Sequence, residues 1–434
     1  MKKINKSIKI VIVSNYDLYG GSSVSGYNLH QSLLRNGFKS LMIVQNKISN
    51  DPTVIQKENK TNTWIKNLIK NKYNFPFSYR IGIVARKFFS YFNEWYKSSL
   101  IEKYNFKQNN FYSILKFRPD IIHFNTGGGD NFFDLREIKI LSKFYKVVFS
   151  IHDLWILTEQ PPKILYNNTR KAIIYKYHQI NQSKINFISH SKWVHNTVCN
   201  KKSIKNNSFH FIQHSIDTNK FRPMKKSRIR KKLGLQQKSF ILLTCAVGIL
   251  SNPYKDFKTL YTAYLNIIRN VKEDILLIII GDKKENLLLK KYKDKFMFVS
   301  SYSSSDKLAE YYSSADLYIH SSHIETWGLT ISEALSCGLP VIASSVGAIP
   351  EQIRGYDRGE KNKLLNLYKI NQANGFLFKR KDADTLYTLI LWILKNKKYT
   401  KRLGENARKY AKKHLNINNQ IPNYIDYYEN LLSK

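Results

Sequence analysis

Cysteine is scarce in this 434-residue chain: Cys199, Cys245 and Cys337 are odd in number and far apart. They lay out neither a disulfide framework nor a zinc spacing, so a reducing compartment is expected. Acidic residues are scarce as well, 31 Asp and Glu against 71 Lys and Arg, a surplus of +40. No apolar stretch approaches the ~20 residues that a membrane span needs. The opening MKKINKSIKIVIVSN has a basic start, a brief apolar run and no small-residue cleavage site after it. It reads as a first buried strand and not as a secretory signal. A soluble or peripheral cytoplasmic protein is expected, with the inner face of the plasma membrane as the peripheral location. The basic surplus attracts anions such as nucleic acid, acidic lipid or phosphate-bearing substrates. Drift in genomic base composition, reflected in a chain rich in Lys, Asn, Ile and Tyr, accounts for it equally. The basic residues run along the whole chain without an RNA-recognition, zinc-finger or helix-turn-helix signature, so no specific nucleic-acid partner is expected.

What is present is a globular composition, 43% hydrophobic and 14% aromatic, long enough for two domains of about 200 residues each. Strand-like runs, each followed by a polar or glycine-bearing loop and a helix-periodic segment, recur from IKIVIVS through SLMIVQ, DIIHFNT, KVVFSIHD, NFISHS and FHFIQHSID. The alternation restarts after the charged stretch FRPMKKSRIRKKLGL, read as a linker, and continues through FILLTCAVG, ILLIIIGD, FMFVSS, ADLYIHSS and PVIASS. Runs apolar throughout suit parallel strands covered on both faces. The expected fold is therefore α/β, with two Rossmann-like, doubly wound domains facing across a cleft. Residues 1–222 form the first, 223–410 the second, and 411–434 a helix packing back on the first. The stretch from Trp64 to Tyr104 interleaves Lys and Arg with Trp, Phe and Tyr. It reads either as a contact with an anionic membrane surface or as an amphipathic insertion packed on its own domain.

In such domains ligands sit outside the carboxyl ends of the strands, where helix amides face anions. Gly20 and Gly21 follow the first strand and precede a helix. Adjacent glycines there favour close approach of a phosphate over a plain turn. His152, ending KVVFSIHD with Asp153 beside it, points into the cleft or serves structure. Gly281 makes another tight turn, at the end of ILLIIIGD on the ligand edge, and is expected to help bind the donor. In SHIETWGLTISEALSCGLPVIASS, Glu325 and Glu333 are separated by seven residues with no other charge. Glu325 precedes a helix closed by Gly338 and Pro340, and Glu333 lies on it. Eight residues at helical rise span roughly 12 Å, about the reach from a sugar across a diphosphate to a ribose. Carboxylates suit the two hydroxyl-bearing ends, and the amides of Trp327, Gly328, Leu329 and Thr330 suit the diphosphate between them. A paired general acid and base is the rival reading, for which no supporting partners are legible.

The block HIETWGLTISEALSCGLPVIASSVGAIPE resembles the Glu-x7-Glu signature of the GT-B retaining glycosyltransferases of family 4. YDLYGGSSVSGYNLHQSLLRNGFKSLMIV and SIHDLWILTEQPPK are similar to the colanic-acid type of polysaccharide-biosynthesis glycosyltransferase. The resemblance runs from Ile8 to about Tyr428 and is weakest between Asn46 and Lys116. It implies a GT-B fold and a retaining hexosyltransferase that draws on a nucleoside-diphosphate sugar, with no metal or other cofactor. The acceptor would be a glycan or a lipid-linked glycan. Glu325 would hold hydroxyls of the donor sugar, Glu333 the ribose hydroxyls, Gly21 the phosphates, His152 the sugar at the reacting face and Lys255 the diphosphate. The family's arginine a few residues before that lysine is absent from AVGILSNPYK, and His214-Ser215 stands where Asn-Gly is common. No Asp-x-Asp triplet of the metal-chelating kind stands out. Acceptor contacts would fall in loops such as NTGGGD and TEQPPK. A nucleotide-sugar epimerase, a phosphorylase, and a phosphate- or lipid-binding module without turnover remain as alternatives.

Overall fold

The computed structural model of the protein describes residues 8–56, 112–125, 135–154, 176–200, 204, 207–281, 292–300, 304–357, 365–366 and 371–433. The aromatic-basic stretch from Trp64 to Tyr104, Asp282, most of NTGGGD and all of TEQPPK lie outside the described residues.

The first sheet contains β1 (Lys9–Tyr16), β2 (Lys39–Asn46), β3 (Val54–Gln56), β4 (Ile121–Phe124), β5 (Lys146–Ile151), β6 (Ile185–Ser189) and β7 (Ser208–Phe211). Their spatial order is β3-β2-β1-β4-β5-β6-β7, and every neighbouring pair is parallel. The period of two along β1 distributes its side chains between two cores. Val11 and Val13 join Ile122, Phe124 and Phe149 on one face. Ile10 and Ile12 pack on the other with Leu29 and Leu33 of helix α1 (Gly21–Arg35). Both faces are covered, so the strands tolerate no polar alternation. The very short β3 carries no such pattern and was not legible in sequence.

Helix α2 (Lys192–Cys199) follows β6, and α3 (Lys226–Lys232) leads into the second domain. The stretch read as a linker is thus partly helical and packed. Arg230 is buried and donates to the carbonyl oxygens of Ser314, Gln237 and Ser239, and it pairs with Asp316 at 2.6 Å. A guanidinium can be buried at a strand edge because carbonyls there satisfy its fork of donors.

The second sheet is built from β8 (Phe240–Cys245), β9 (Ile275–Ile280), β10 (Phe296–Val299), β11 (Leu317–His320), β12 (Val341–Ser344), β13 (Gly355–Asp357), β14 (Leu365–Asn366) and β15 (Gly375–Phe378). Its order is β10-β9-β8-β11-β12-β15-β13-β14, parallel except for the β13–β14 pair. Helices α4 (Phe257–Asn270), α5 (Ser305–Ser314), α6 (Leu329–Ser336), α7 (Ala383–Lys395) and α8 (Lys397–His414) belong to this half. The last helix, α9 (Ile417–Leu432), returns to the first domain. There Tyr424, Ile425 and Tyr428 pack with Leu29 and Leu33, and the Tyr428 hydroxyl meets His123 Nδ1 at 2.6 Å.

In each sheet the chain leaves neighbouring strands in opposite directions at one point, between β1 and β4 and between β8 and β11. A crevice opens at the carboxyl ends of such strands. The two switch points therefore decide where a ligand can enter.

Candidate active site

On the second domain, the loops after β8 and β11 are tied by an isolated antiparallel bridge between Lys255 and Ser322. This brings the Lys255 ammonium to 2.6 Å from Glu325 Oε2, with side chains only 20% and 14% exposed. His320, the last residue of β11, places Nε2 3.3 Å from the same oxygen and 3.0 Å from the Ser322 hydroxyl. Burial alone would raise the Glu325 pKa. The Lys255 charge and the His320 N–H outweigh it and hold the carboxyl well below its usual range. Burial lowers the pKa of His320, which stays neutral near pH 7. The backbone of Glu325 is fixed as well, since the Ala348 N–H donates to its carbonyl at 3.0 Å. Gly347, at φ +55°, permits that approach: a Cβ there would lie 2.0 Å from the Glu325 carbonyl oxygen.

Helix α6 begins at Gly328, whose left-handed φ of 88° turns the chain after Trp327. The Trp327 indole N–H donates to the Ser332 hydroxyl at 3.1 Å, and that hydroxyl donates to Gln352 Oε1 at 2.7 Å. Gln352 in turn donates to the Trp327 carbonyl. The closed ring of hydrogen bonds holds the first turn of α6, whose free amides end at Leu329 and Thr330. Thr330 Oγ1 sits 3.5 Å from His320 Nδ1. Glu333 is placed differently. It is buried one turn into α6, where the Tyr312 hydroxyl donates to Oε2 at 2.9 Å. Burial pushes its pKa up to about 8, against the lowering effect of that hydrogen bond. A carboxyl group on an apolar helix is thus accommodated by a tyrosine and by holding its proton near neutral pH.

The first domain faces this constellation. Gly20, at φ +82°, precedes α1, and nothing stands within 4 Å of where its Cβ would be. A Cβ on Gly21 would stand 3.3 Å from Leu329 Cδ1, so the starts of α1 and α6 meet across the cleft. His152 follows β5. Asn125 orients it, with Oδ1 3.0 Å from Nε2, and its sequence neighbour Asp153 interacts electrostatically with Lys176. The Asn125 amide N–H is committed to the Ser22 carbonyl, so Oδ1 accepts and His152 carries its proton on Nε2. That leaves Nδ1 as the acceptor.

His190 and His214 pack beside His152, with ring centroids 4.8 to 5.4 Å apart, and His214 lies 6.3 Å from the Trp327 ring. Burial holds all three well below the ordinary imidazole pKa, His190 at about 4. The His190 Nδ1 donates to the Ile212 carbonyl at 3.0 Å. Two contacts clamp the domains together here. The Thr326 hydroxyl donates to the His152 carbonyl at 2.6 Å, and the Glu351 carboxylate accepts from the Lys192 and Trp193 amides at 2.9 and 2.8 Å.

Glu325, Lys255, Trp327, Gly328, Leu329 and Thr330 therefore share one wall, with Gly20, Gly21 and His152 on the other. Gly281 lies at the end of β9, and its φ of +120° has a local steric reason: a Cβ there would come 1.9 Å from the Ala246 carbonyl oxygen. Sequence reasoning missed Asn125 as an orienting group, Tyr312, His320, Gln352 and the imidazole cluster. The available signal was a histidine at or just past the carboxyl end of four strands, His152, His190, His214 and His320. Among the described residues no group of three or more His, Cys, Asp or Glu is placed to hold a metal ion, and no helix is long and apolar enough to cross a membrane.

Residues 225–410 match the family described as Glycosyl transferases group 1. The chain is 24% identical over 312 residues to a sulfoquinovosyl transferase of Arabidopsis thaliana, covering 69% of this chain and 55% of that protein. It spans about half the length of the curated relatives it matches. Among solved structures it is similar to a sucrose-phosphate synthase from Thermosynechococcus elongatus, with a TM-score of 0.64 and 16% identity over 98% of this chain and 99% of that one. The HepE protein of Anabaena, solved in complex with UDP-glucose, aligns with a TM-score of 0.62 and 16% identity over 98% of this chain and 100% of that one. The two parallel-sheet domains facing across a cleft are therefore a GT-B fold.

Proposed function

We propose that the cleft transfers a glycosyl group from a nucleoside-diphosphate sugar to a hydroxyl of a glycan or lipid-linked glycan acceptor, with retention, in the assembly of a surface polysaccharide. The observation that carries this reading is the Lys255–Glu325 pair at the second domain's switch point, opposite Gly21 and His152. It supplies a cation for a diphosphate and a carboxylate for sugar hydroxyls within hydrogen-bonding distance of each other. The family match over residues 225–410 supports it, and the UDP-glucose in the HepE structure makes UDP-sugars the first donors to try.

In the reaction the bond from the anomeric carbon to the diphosphate oxygen breaks and a bond to the acceptor oxygen forms on the same face. The acceptor proton passes to the departing diphosphate. Charge grows on that diphosphate, and preorganised positive groups lower the barrier. Lys255 exchanges its contact with Glu325 for the diphosphate, while the amides of Trp327 to Thr330 and the backbone at Gly20 and Gly21 meet the remaining oxygens. Glu325 then accepts from sugar hydroxyls. His152 Nδ1 accepts from a further hydroxyl at the reacting face. Glu333 meets the ribose as a largely protonated group near pH 7. No metal is assigned a part. Contacts between the domains, such as Thr326 to His152, keep water from competing as acceptor.

The test is a panel of nucleotide sugars incubated with purified protein, with and without oligosaccharide acceptors, scored for released nucleoside diphosphate. Acceptor-dependent release that disappears in a folded Glu325→Ala variant supports the reading. Acceptor-independent turnover would replace it with an epimerase or hydrolase, and silence across the panel with a non-catalytic binding module.

A further inference from the structure

The parallel second sheet has two edges, and only its carboxyl edge carries the site described above. At the opposite edge lies a cavity of about 960 Å³. Its walls include the amino ends of four strands, at Phe240 of β8, Asp274 before β9, Asp316 before β11 and Pro340 before β12. Helix α8 closes one side. Its residues Lys397, Lys401, Glu405, Arg408 and Lys412 recur every three or four positions, with Lys409 beside them, and so form one stripe facing the cavity. The floor is apolar, with Met224, Leu339, Ile393 and Leu394.

The charges there do not cancel. Eight Lys or Arg residues line the cavity against four Asp or Glu. Two of the four acids are already engaged: Asp316 by Lys226 and Arg230, and Asp274 by Lys295 from outside the cavity. Arg408 is committed to the carbonyl oxygens of Thr218, Phe221 and Ser336. Among the described residues, Lys238, Lys397, Lys401, Lys409 and Lys412 have no carboxylate within ion-pairing distance. Five exposed lysines without a carboxylate partner thus line a concave, partly apolar space, and their like charges sum to a positive field there. Lysine binds phosphate as a point charge, and a cavity of this size falls within the range of small-molecule sites.

We propose that this cavity is a second binding site, for a phosphate- or diphosphate-bearing ligand with an apolar portion. The phosphate group sits among the α8 lysines and the apolar part lies on Met224, Leu339 and Leu394. The site is independent of the donor cleft, because it lies at the other end of the same strands. The same chemistry comes from a soluble organic phosphate or from a phospholipid headgroup at a membrane surface.

The experiment titrates full-length protein with inorganic pyrophosphate, farnesyl diphosphate and phosphatidylglycerol vesicles, with phosphatidylcholine vesicles as reference. Three proteins are compared: the wild type, Lys401→Gln/Lys409→Gln, and Lys255→Met as a control for capture by the cleft. Each charge-assisted contact removed is worth about tenfold in affinity, so the double variant is expected to bind at the α8 site about 100-fold more weakly, while Lys255→Met keeps that binding and loses only the fraction captured by the cleft. Loss of diphosphate binding assigns a soluble ligand, and loss confined to phosphatidylglycerol vesicles assigns a lipid headgroup. Ligand-induced protection of the 397–412 amides from hydrogen exchange locates the site even if the variant folds poorly. Absence of binding to every probe, binding unchanged in the double variant, or binding lost only in Lys255→Met overturns the proposal.

Discussion

Replacing Lys255 with Met keeps the apolar stem of the side chain and deletes the ammonium that Glu325 contacts at 2.6 Å. The carboxylate is left mostly buried, at 14% exposure, with the His320 contact to Oε2 at 3.3 Å retained. Breaking a buried pair by removing one partner costs about 3–5 kcal/mol. The retained imidazole contact places this case at the lower end, about 3 kcal/mol. For a domain of this size that corresponds to a fall of roughly 6–12 °C in the melting temperature.

The pH dependence discriminates this cause from a packing defect. Glu325 has a depressed pKa when folded, so it contributes stability above its unfolded value near 4.5 and loses it as pH falls through the lower folded value. In Lys255→Met burial is no longer outweighed, the carboxyl takes up its proton at higher pH, and the gap to wild type narrows as the solution is acidified from pH 7. Urea unfolding monitored by tryptophan fluorescence between pH 4 and 7 measures this. The cycle with Glu325→Gln isolates the pair, and the double variant should recover about 2 kcal/mol relative to additivity. A penalty below about 1 kcal/mol, or one that does not change with pH, would refute the reasoning. Turnover in Lys255→Met should fall about 10²–10³-fold if the ammonium serves the leaving diphosphate.

Glu333 behaves in the opposite sense. Its folded pKa of about 8 exceeds the ordinary 4.5, so wild-type stability should decline across that interval as pH rises, by about 1.4 kcal/mol per unit from this group, and Glu333→Gln should lack that decline in the same unfolding assay. Gly281→Ala should cost about 2–4 kcal/mol, because the new methyl would meet the Ala246 carbonyl at 1.9 Å in a left-handed backbone conformation, and urea denaturation reads it directly. Asn125→Leu removes the acceptor that holds the His152 proton on Nε2. Imidazole nitrogen shifts should then show mixed tautomers, and turnover should drop about tenfold, with a smaller change in KM.

Much of this architecture was legible from residue order. Apolar runs such as ILLIII and KIVIVS became parallel strands because each face of each sheet is covered. The Gly328 turn and the Gly338 stop bounded α6, where backbone conformation selects glycine. The charged stretch before the second domain misled, since lysine and arginine density signalled a solvated linker while Arg230 in fact reaches buried carbonyls. Glu333 was placed on its helix, but nothing in the local sequence announced Tyr312 as its partner, 21 positions away.

The sequence alone determined the elements, since periodicity and glycine placement are properties of contiguous residues. Only the tertiary structure decided which charges meet. Lys255 and Glu325 are separated by 70 positions, Asn125 and His152 by 27, and each pair is joined by parallel strands whose connecting segments cross the sheet. The physical reason lies in the switch points. They bring the ends of distant strands to one crevice, and the pKa of every group there depends on burial and neighbours that no local pattern encodes.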